Sequence, residues 1–308
     1  MQAFNPSDSG GFLRSGHSPF DSERLSSWDL LFESGANPVE PEIALPLIPN
    51  PKEFPSSIVG ANGRYFISFD GIARFQIDFA NETITVFDVA EDATSESLAH
   101  LLNDHVAPRV LAGAGEFVIH ASAVEIDGRL AVFLGETGAG KSTLAASLHN
   151  AGHSLIGDDA LILEQNETGV TGRSVYPSLR LYPESISAVL GDGVSATPMA
   201  QYSTKQRLNL PQLENSDAAV FPVGAFFFLI EDPDEEGVAA HTIQPALTCM
   251  GLIENGFALD KGDAQAAAKR FEAASRIAHG VPGYELSYPW DFELLPQVRA
   301  EIEACLQR

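Results

Sequence analysis

Apolar and polar residues alternate at period two over residues 65–69, 73–79 and 83–87, with Asp70-Gly71 and Asn81-Glu82 between the runs. That spacing predicts an antiparallel meander with one buried face and turns at the two polar pairs. Leu98, Leu101, Leu102, Val106, Val110 and Leu111 then recur at helical spacing, predicting a helix. Apolar runs at 117–125 and 129–134 flank Asp127-Gly128 and read as a hairpin. Leu144 and Leu148, four residues apart, put a helix over 143–150. Residues 152–163 read as a strand interrupted by a doubled aspartate, and further strands are expected at 175–181 and 225–230. Helices are expected over 246–255, 263–278 and 294–306. Upstream the pattern fades. Residues 1–27 are rich in Ser, Gly, Asp and Pro and predict a mobile tail. Pro38, Pro41, Pro46, Pro49, Pro51 and Pro55 predict an extended connection after it.

One segment carries chemistry outright. Gly135-Glu136-Thr137-Gly138-Ala139-Gly140-Lys141-Ser142 fits the phosphate-loop pattern G-x-x-x-x-G-K-[ST], and Thr143 follows into the expected helix. The pattern acquires physical meaning from its place between a buried strand and a helix. The glycines let successive N–H groups turn toward phosphate oxygens, and the helix N-terminus adds positive partial charge. Lys141 is expected to reach the β- and γ-phosphates, and the Ser142 hydroxyl to ligate Mg²⁺. The chain is therefore expected to bind a nucleoside triphosphate.

Asp158-Asp159 ends a strand-like run shortly after the loop. A carboxylate there suits Mg²⁺, and a second one beside it suits proton abstraction from an attacking hydroxyl. The competing reading is a polar turn at a strand end. His120, in Val-Ile-His-Ala-Ser-Ala, is either a site residue or an ordinary histidine beside an apolar strand.

Composition narrows the partners. Hydrophobic residues make up 44% of the chain, enough for a packed core. Forty-two acidic residues against 18 basic ones give a formal charge of −24. That balance argues against nucleic acid or an anionic membrane as the main partner. No apolar stretch approaches membrane-spanning length, and no signal pattern opens the chain, so a soluble, cytoplasmic protein is expected. Cys249 and Cys305 match no metal spacing and read as reduced thiols.

His120-Ala-Ser-Ala-Val, the Gly135–Thr143 loop, and Gly152-His153 leading into Asp158-Asp159 together resemble the HPr kinase/phosphorylase family. More narrowly, they resemble its shorter HPr kinase-like relatives, which include kinases that tailor lasso peptides. The resemblance covers about residues 117–185. It implies an α/β fold with a P-loop kinase core of the phosphoenolpyruvate carboxykinase/HPr kinase-like type and a mixed sheet. A small antiparallel β-rich N-terminal region precedes that core. The implied organisation is a flexible tail at 1–27, a meander-plus-helix region at 28–114, and a catalytic domain at 115–308.

The resemblance also implies residue roles and partners. Lys141 would bind phosphate, Ser142 and Asp158 would ligate Mg²⁺, Asp159 would accept the serine proton, and His120 would lie beside the transferred phosphate. Glu184 would be a further metal ligand, or else Arg180 takes that position and touches phosphate. Lys205 and Arg207 are possible phosphate contacts, with solvated surface as the competing reading. ATP and Mg²⁺ are the implied cofactors, and a serine hydroxyl is the acceptor. The C-terminal signature for binding HPr is not evident, which points instead to another peptide or small protein. A lasso-peptide precursor is the best single guess. A small-molecule hydroxyl kinase and a nucleotide-switched module without an acceptor stay open, as does the oligomeric state.

Overall fold

The computed structural model describes residues 25–32, 57–61, 63–191, 193–210, 219–230 and 237–308. The expected tail (but for its last three residues) and the proline-rich connection lie outside these. The architecture is mixed α/β with mixed sheets, and it divides into two compact units. The first comprises the described residues within Met1–Ala114, Pro198–Thr204 and Ala258–Asp263. The second comprises those within Gly115–Thr197, Lys205–Phe257 and Ala264–Arg308.

In the first unit, β1 (Asp29–Phe32), β2 (Ser57–Ala61), β3 (Arg64–Phe69), β4 (Ala73–Asp78) and β5 (Thr83–Phe87) form a sheet ordered β1-β5-β4-β3-β2. Strands β2 to β5 pair antiparallel, and β1 adds in parallel to β5. The period-two runs thus became strands, with Ile67, Phe69, Phe75, Ile77, Ile84 and Val86 buried.

The helix expected over 98–111 is three pieces instead: α1 (Ser95–His100), a π-helical turn (Leu101–Val106) and α2 (Ala107–Gly113). Thr94 caps α1 by accepting a hydrogen bond from Ser97 N–H. Pro108 lacks the N–H that would reach the Asp104 carbonyl, so a regular ladder cannot run through it. The Ala107 N–H accordingly reaches back to the Leu102 carbonyl, one residue further than in an α-helix.

The second unit opens with β6 (Phe117–Ile119), β7 (Ser122–Ile126) and β8 (Arg129–Leu134). The single strand expected over 117–125 is broken at His120-Ala121. There the chain changes neighbours: β6 pairs β10 (Leu161–Asn166), whereas β7 pairs β8. His120 N–H turns aside to the Asn255 carbonyl at 2.7 Å. Asp127 and Gly128, at φ 50° and 81°, close the expected hairpin.

Helix α3 (Lys141–Asn150) follows the glycine loop, then β9 (Ser154–Gly157), β10 and β11 (Gly169–Ser174). Little of the strand expected at 175–181 exists. Pro177 interrupts it, and β12 is just Arg180–Leu181, leading into α4 (Pro183–Leu190). Next come the hairpin β13 (Ala196–Ala200) and β14 (Ser203–Leu208), then β15 (Phe221–Ile230) and β16 (Ala239–Ile243). Helices α5 (Pro245–Glu254) and α6 (Ala264–Gly280), strand β17 (Gly283–Ser287) and α7 (Leu295–Gln307) complete the chain.

The main sheet runs β6-β10-β11-β15-β8-β7-β9, with β17 on β15 and β16 on β17. Alternate residues of β8 enter two different cores. Ala131 and Phe133 join Leu144, Leu148, Val298 and Ile302 of α3 and α7. Leu130, Val132 and Leu134 join Cys249, Leu252, Ala274 and Ile277 of α5 and α6. Helices cover both faces, which is why β8 and β15 read as continuous apolar runs rather than alternating ones. Cys249 and Cys305 are both free and buried. No helix among the described residues is long and apolar enough to cross a membrane.

Candidate active site

The glycine loop leaves the C-terminal end of β8 and enters α3. Gly135 sits at φ 143°, and a Cβ there would fall 2.9 Å from the Leu229 carbonyl oxygen, so the close strand-to-loop approach requires glycine. Gly140, at φ 91°, caps α3 in the left-handed region. Lys141 curls back over its own loop, donating to the Gly135 and Glu136 carbonyls at 2.8 and 3.0 Å. Burial pushes its ammonium down to about 8, partly offset by Asp158 and reinforced by Lys205.

Asp158 follows β9 and is buried, with 2% of its surface exposed. Its Oδ1 accepts from Ser122 Oγ at 2.5 Å and from Ser142 Oγ at 3.0 Å, and its Oδ2 from the Arg180 N–H at 3.3 Å. A carboxylate and a hydroxyl at hydrogen-bond distance are hard oxygen donors of the kind Mg²⁺ takes, with phosphates and water completing its shell. The donor set fits that cation. Among the described residues there is no cluster of three or more His, Cys, Asp or Glu that would hold a metal alone.

Asp159 differs from its neighbour. Its φ is 82°, in the left-handed region that a non-glycine residue rarely occupies, and its carboxylate pairs with the Arg180 guanidinium. Such backbone geometry tends to gather at functional positions, where surrounding contacts hold it. Here the Arg180 pair and the Asp158 hydrogen bonds fix both sides of the turn.

Cations converge on this point. Arg180 on β12 stands opposite Arg207 on β14, so the two side chains share one face. The other face sends Leu181 and Leu208 into the core. Lys205, two residues from Arg207, lies over the Tyr182 ring at 5.3 Å. His120 registers the field. Burial pushes its imidazole down to about 3, Lys141, Arg180 and Lys205 add to that, and Asp158 opposes it. Its ring also meets Phe257 edge-on at 6.3 Å. In a chain of net charge −24, three cations gathered around one half-buried histidine make a local concentration of positive charge.

The expected residues therefore gather unevenly. Lys141, Ser142, Asp158, Asp159, Arg180 and His120 form one cluster, with Lys205 acting on it electrostatically. Glu184 is exposed in the first turn of α4, next to Ser185, whose hydroxyl accepts from Thr143 Oγ1 at 3.3 Å, while the Arg180 guanidinium pairs with Asp159. Two contributors carried no assigned role in the sequence. Ser122 lies two residues after His120 at the start of β7, within a motif already singled out. Tyr288 follows β17, and its hydroxyl lies 3.4 Å from where a Cβ on Gly140 would be. No local signal ties Tyr288 to the loop.

No protein-family model matches the chain. Over 79 residues it is 35% identical to an HPr kinase/phosphorylase of Clostridium acetobutylicum. The chain is similar to HPr kinase/phosphorylase. The match takes in 26% of this chain, and the chain spans 24% of that relative's length. Among solved structures, the HPr(Ser) kinase/phosphatase from Coxiella burnetii aligns with a TM-score of 0.29 at 16% identity, covering 60% of this chain and 98% of that one.

Proposed function

We propose that this chain is an ATP- and Mg²⁺-dependent kinase that passes the γ-phosphoryl group to a serine hydroxyl of a peptide or small protein. The observation that carries this reading is the hydrogen bond from half-buried Ser142, at the end of a glycine loop, to buried Asp158, set against Lys141, Arg180 and Lys205. The similarity to an HPr kinase/phosphorylase supports it. A small-molecule hydroxyl and a nucleotide-switched module remain the outcomes to test against.

Phosphoryl transfer needs positioning and charge neutralisation more than covalent chemistry from the protein. The loop N–H groups and Lys141 hold the β- and γ-phosphates, with Lys141 exchanging the Gly135 and Glu136 carbonyls for phosphate oxygens. Ser142 and Asp158 would hold Mg²⁺, which would supply positive charge to offset that of the phosphate oxygens. Asp159 accepts the serine proton as the serine oxygen forms its bond to phosphorus and the bond to the ADP oxygen breaks. Arg180 and Lys205 offset charge on the transferred group, with Arg207 adding to the same face. His120 stays neutral and serves as a hydrogen-bonding neighbour rather than a cation.

The test is mass spectrometry of acceptors incubated with the protein, ATP and Mg²⁺, beginning with a lasso-peptide precursor. Phosphate gained on serine is expected. Asp159→Asn should lower transfer by roughly 10²- to 10⁴-fold while leaving ATP affinity nearly intact. Phosphate on free sugars or serine but on no peptide would instead assign a small-molecule acceptor. ATP binding without transfer to any acceptor would leave the switch reading.

A further inference from the structure

Strand directions put both flanks of the glycine loop on one sheet edge. Strand β7 is antiparallel to both β8 and β9, so β8 and β9 run the same way. Strand β15 is parallel to β8 and to β17, and Phe226 pairs with Val132 on one side and Gly283 on the other. The C-terminal ends of β9, β8, β15 and β17 therefore open on one edge, where ligands of parallel sheets bind. Asp158 lies at the end of β9 and Tyr288 at the end of β17, on opposite sides of the loop. Each is two strand spacings from β8, about 10 Å.

The two flanks differ in chemistry. The β9 side holds the aspartates, Arg180 and His120. The β17 side holds Tyr288-Pro289-Trp290. Tyr288 reaches the loop at Gly140, and burial pushes its hydroxyl up to about 12, so it stays protonated. Trp290 is 65% exposed, the most exposed of the large hydrophobic side chains among the described residues. Its backbone is nevertheless pinned. Asp291 N–H donates to the Pro289 carbonyl at 2.7 Å, Leu294 N–H donates to the Asp291 carbonyl at 3.1 Å, and the Asp291 carboxylate accepts from Glu293 N–H at 2.9 Å. The indole is thus exposed on a fixed turn, two residues from a contact with the phosphate loop.

We infer that Trp290 is the stacking platform for the nucleobase of the bound nucleoside triphosphate. The inference rests on the nucleotide reading above. With the γ-phosphate directed to the aspartates on the β9 side, the triphosphate crosses the loop and the base emerges over the β15 and β17 ends. A stacked indole engages the π-face that every base has, so the platform takes ATP and GTP alike.

Calorimetry with ATP, GTP and tripolyphosphate tests this, together with tryptophan fluorescence. Trp28, the other tryptophan, is 5% exposed, so a surface signal reports Trp290. ATP and GTP are expected to quench that emission, and tripolyphosphate is not. Trp290→Ala should weaken ATP and GTP by roughly 5- to 100-fold and leave tripolyphosphate affinity unchanged, with Trp290→Phe retaining most of the affinity. Unchanged ATP affinity in Trp290→Ala overturns the inference. So does an equal loss for ATP and tripolyphosphate, which would place the effect on the loop. A raised KM for the acceptor with ATP affinity intact overturns it in favour of an acceptor contact. A wild-type chain that binds neither ATP nor tripolyphosphate overturns the nucleotide reading itself.

Discussion

His100 in the first unit and His120 in the second both stand in polar clusters withdrawn from solvent, yet their surroundings have opposite character. His100 Nδ1 lies 2.6 Å from the Tyr202 hydroxyl, and its Nε2 lies 3.5 Å from the Asp104 carboxylate one helical turn on. The His105 ring meets it edge-on at 5.2 Å, and Arg109 donates to the His105 carbonyl at 2.7 Å. Beside it, Gln201 exchanges hydrogen bonds with Ser97 and accepts from the Thr94 N–H at 2.9 Å. These contacts come from one helical run and the 198–204 tip, and they answer one another. Around His120 the partners come from the glycine loop, β9, β12 and β14, and three of them are cations acting against protonation. The first cluster fastens a helix to a turn. The second gathers positive charge that its own carboxylates offset in part, and that is what a site for a highly charged anion requires.

Removing the strongest cation should break the comparison most sharply. Lys141→Ala is expected to weaken ATP by roughly 10- to 150-fold, the range for losing a charged hydrogen-bond donor, read by calorimetry. Normal ATP affinity would contradict the phosphate-loop reading. His120 gives the next effect. Its folded-state value is pushed from 6.5 to about 3, so between those values the unfolded chain takes a proton that the folded one refuses. Stability should therefore fall as pH drops through that window, by about 2 kcal/mol between pH 6.5 and 5. Urea unfolding of His120→Gln should lack this component, and a pH profile identical to wild type would remove His120 from that role. Lys205→Ala is expected to lower kcat about tenfold with ATP affinity held, because it acts on charge developing in transfer. A change confined to ATP affinity would move Lys205 to ground-state binding. The smallest effect belongs to the first cluster. Tyr202→Phe should lower unfolding stability by about 1 kcal/mol and leave tripolyphosphate affinity alone; a fall in that affinity would erase the contrast between the two histidines.

Legibility followed sequence distance. The meander, the hairpin at Asp127-Gly128, the loop and the helix after it were readable because each rests on neighbours in the chain: alternation, a turn pair, glycine spacing, an i,i+4 apolar pair. Near misses came where a partner far away intervened. The strand at 117–125 split because β6 and β7 join different neighbours, which no periodicity records. The regular helix over 98–111 gave way to a π turn, although Pro108 was in plain view as a breaker. How Arg180 and Glu184 are placed was invisible in a run where both lie within five residues. Cross-strand pairing set Arg180 opposite Arg207 with its guanidinium on Asp159, and Glu184 stands exposed in the first turn of the next helix.

By itself, the sequence determined that a strand delivers a glycine-rich, lysine-bearing loop into a helix, and that two aspartates follow a second strand. These are local facts, set by steric freedom at glycine and by side-chain period. The tertiary structure alone decided which distant groups surround them. It brought Ser122 and Ser142 to one carboxylate oxygen, set Arg207 across from Arg180, and carried Tyr288 and Trp290 to the edge where the loop opens. Strand order and direction fix those encounters. They depend on pairing between segments far apart in the chain, so nothing in the neighbourhood of any one residue announces them.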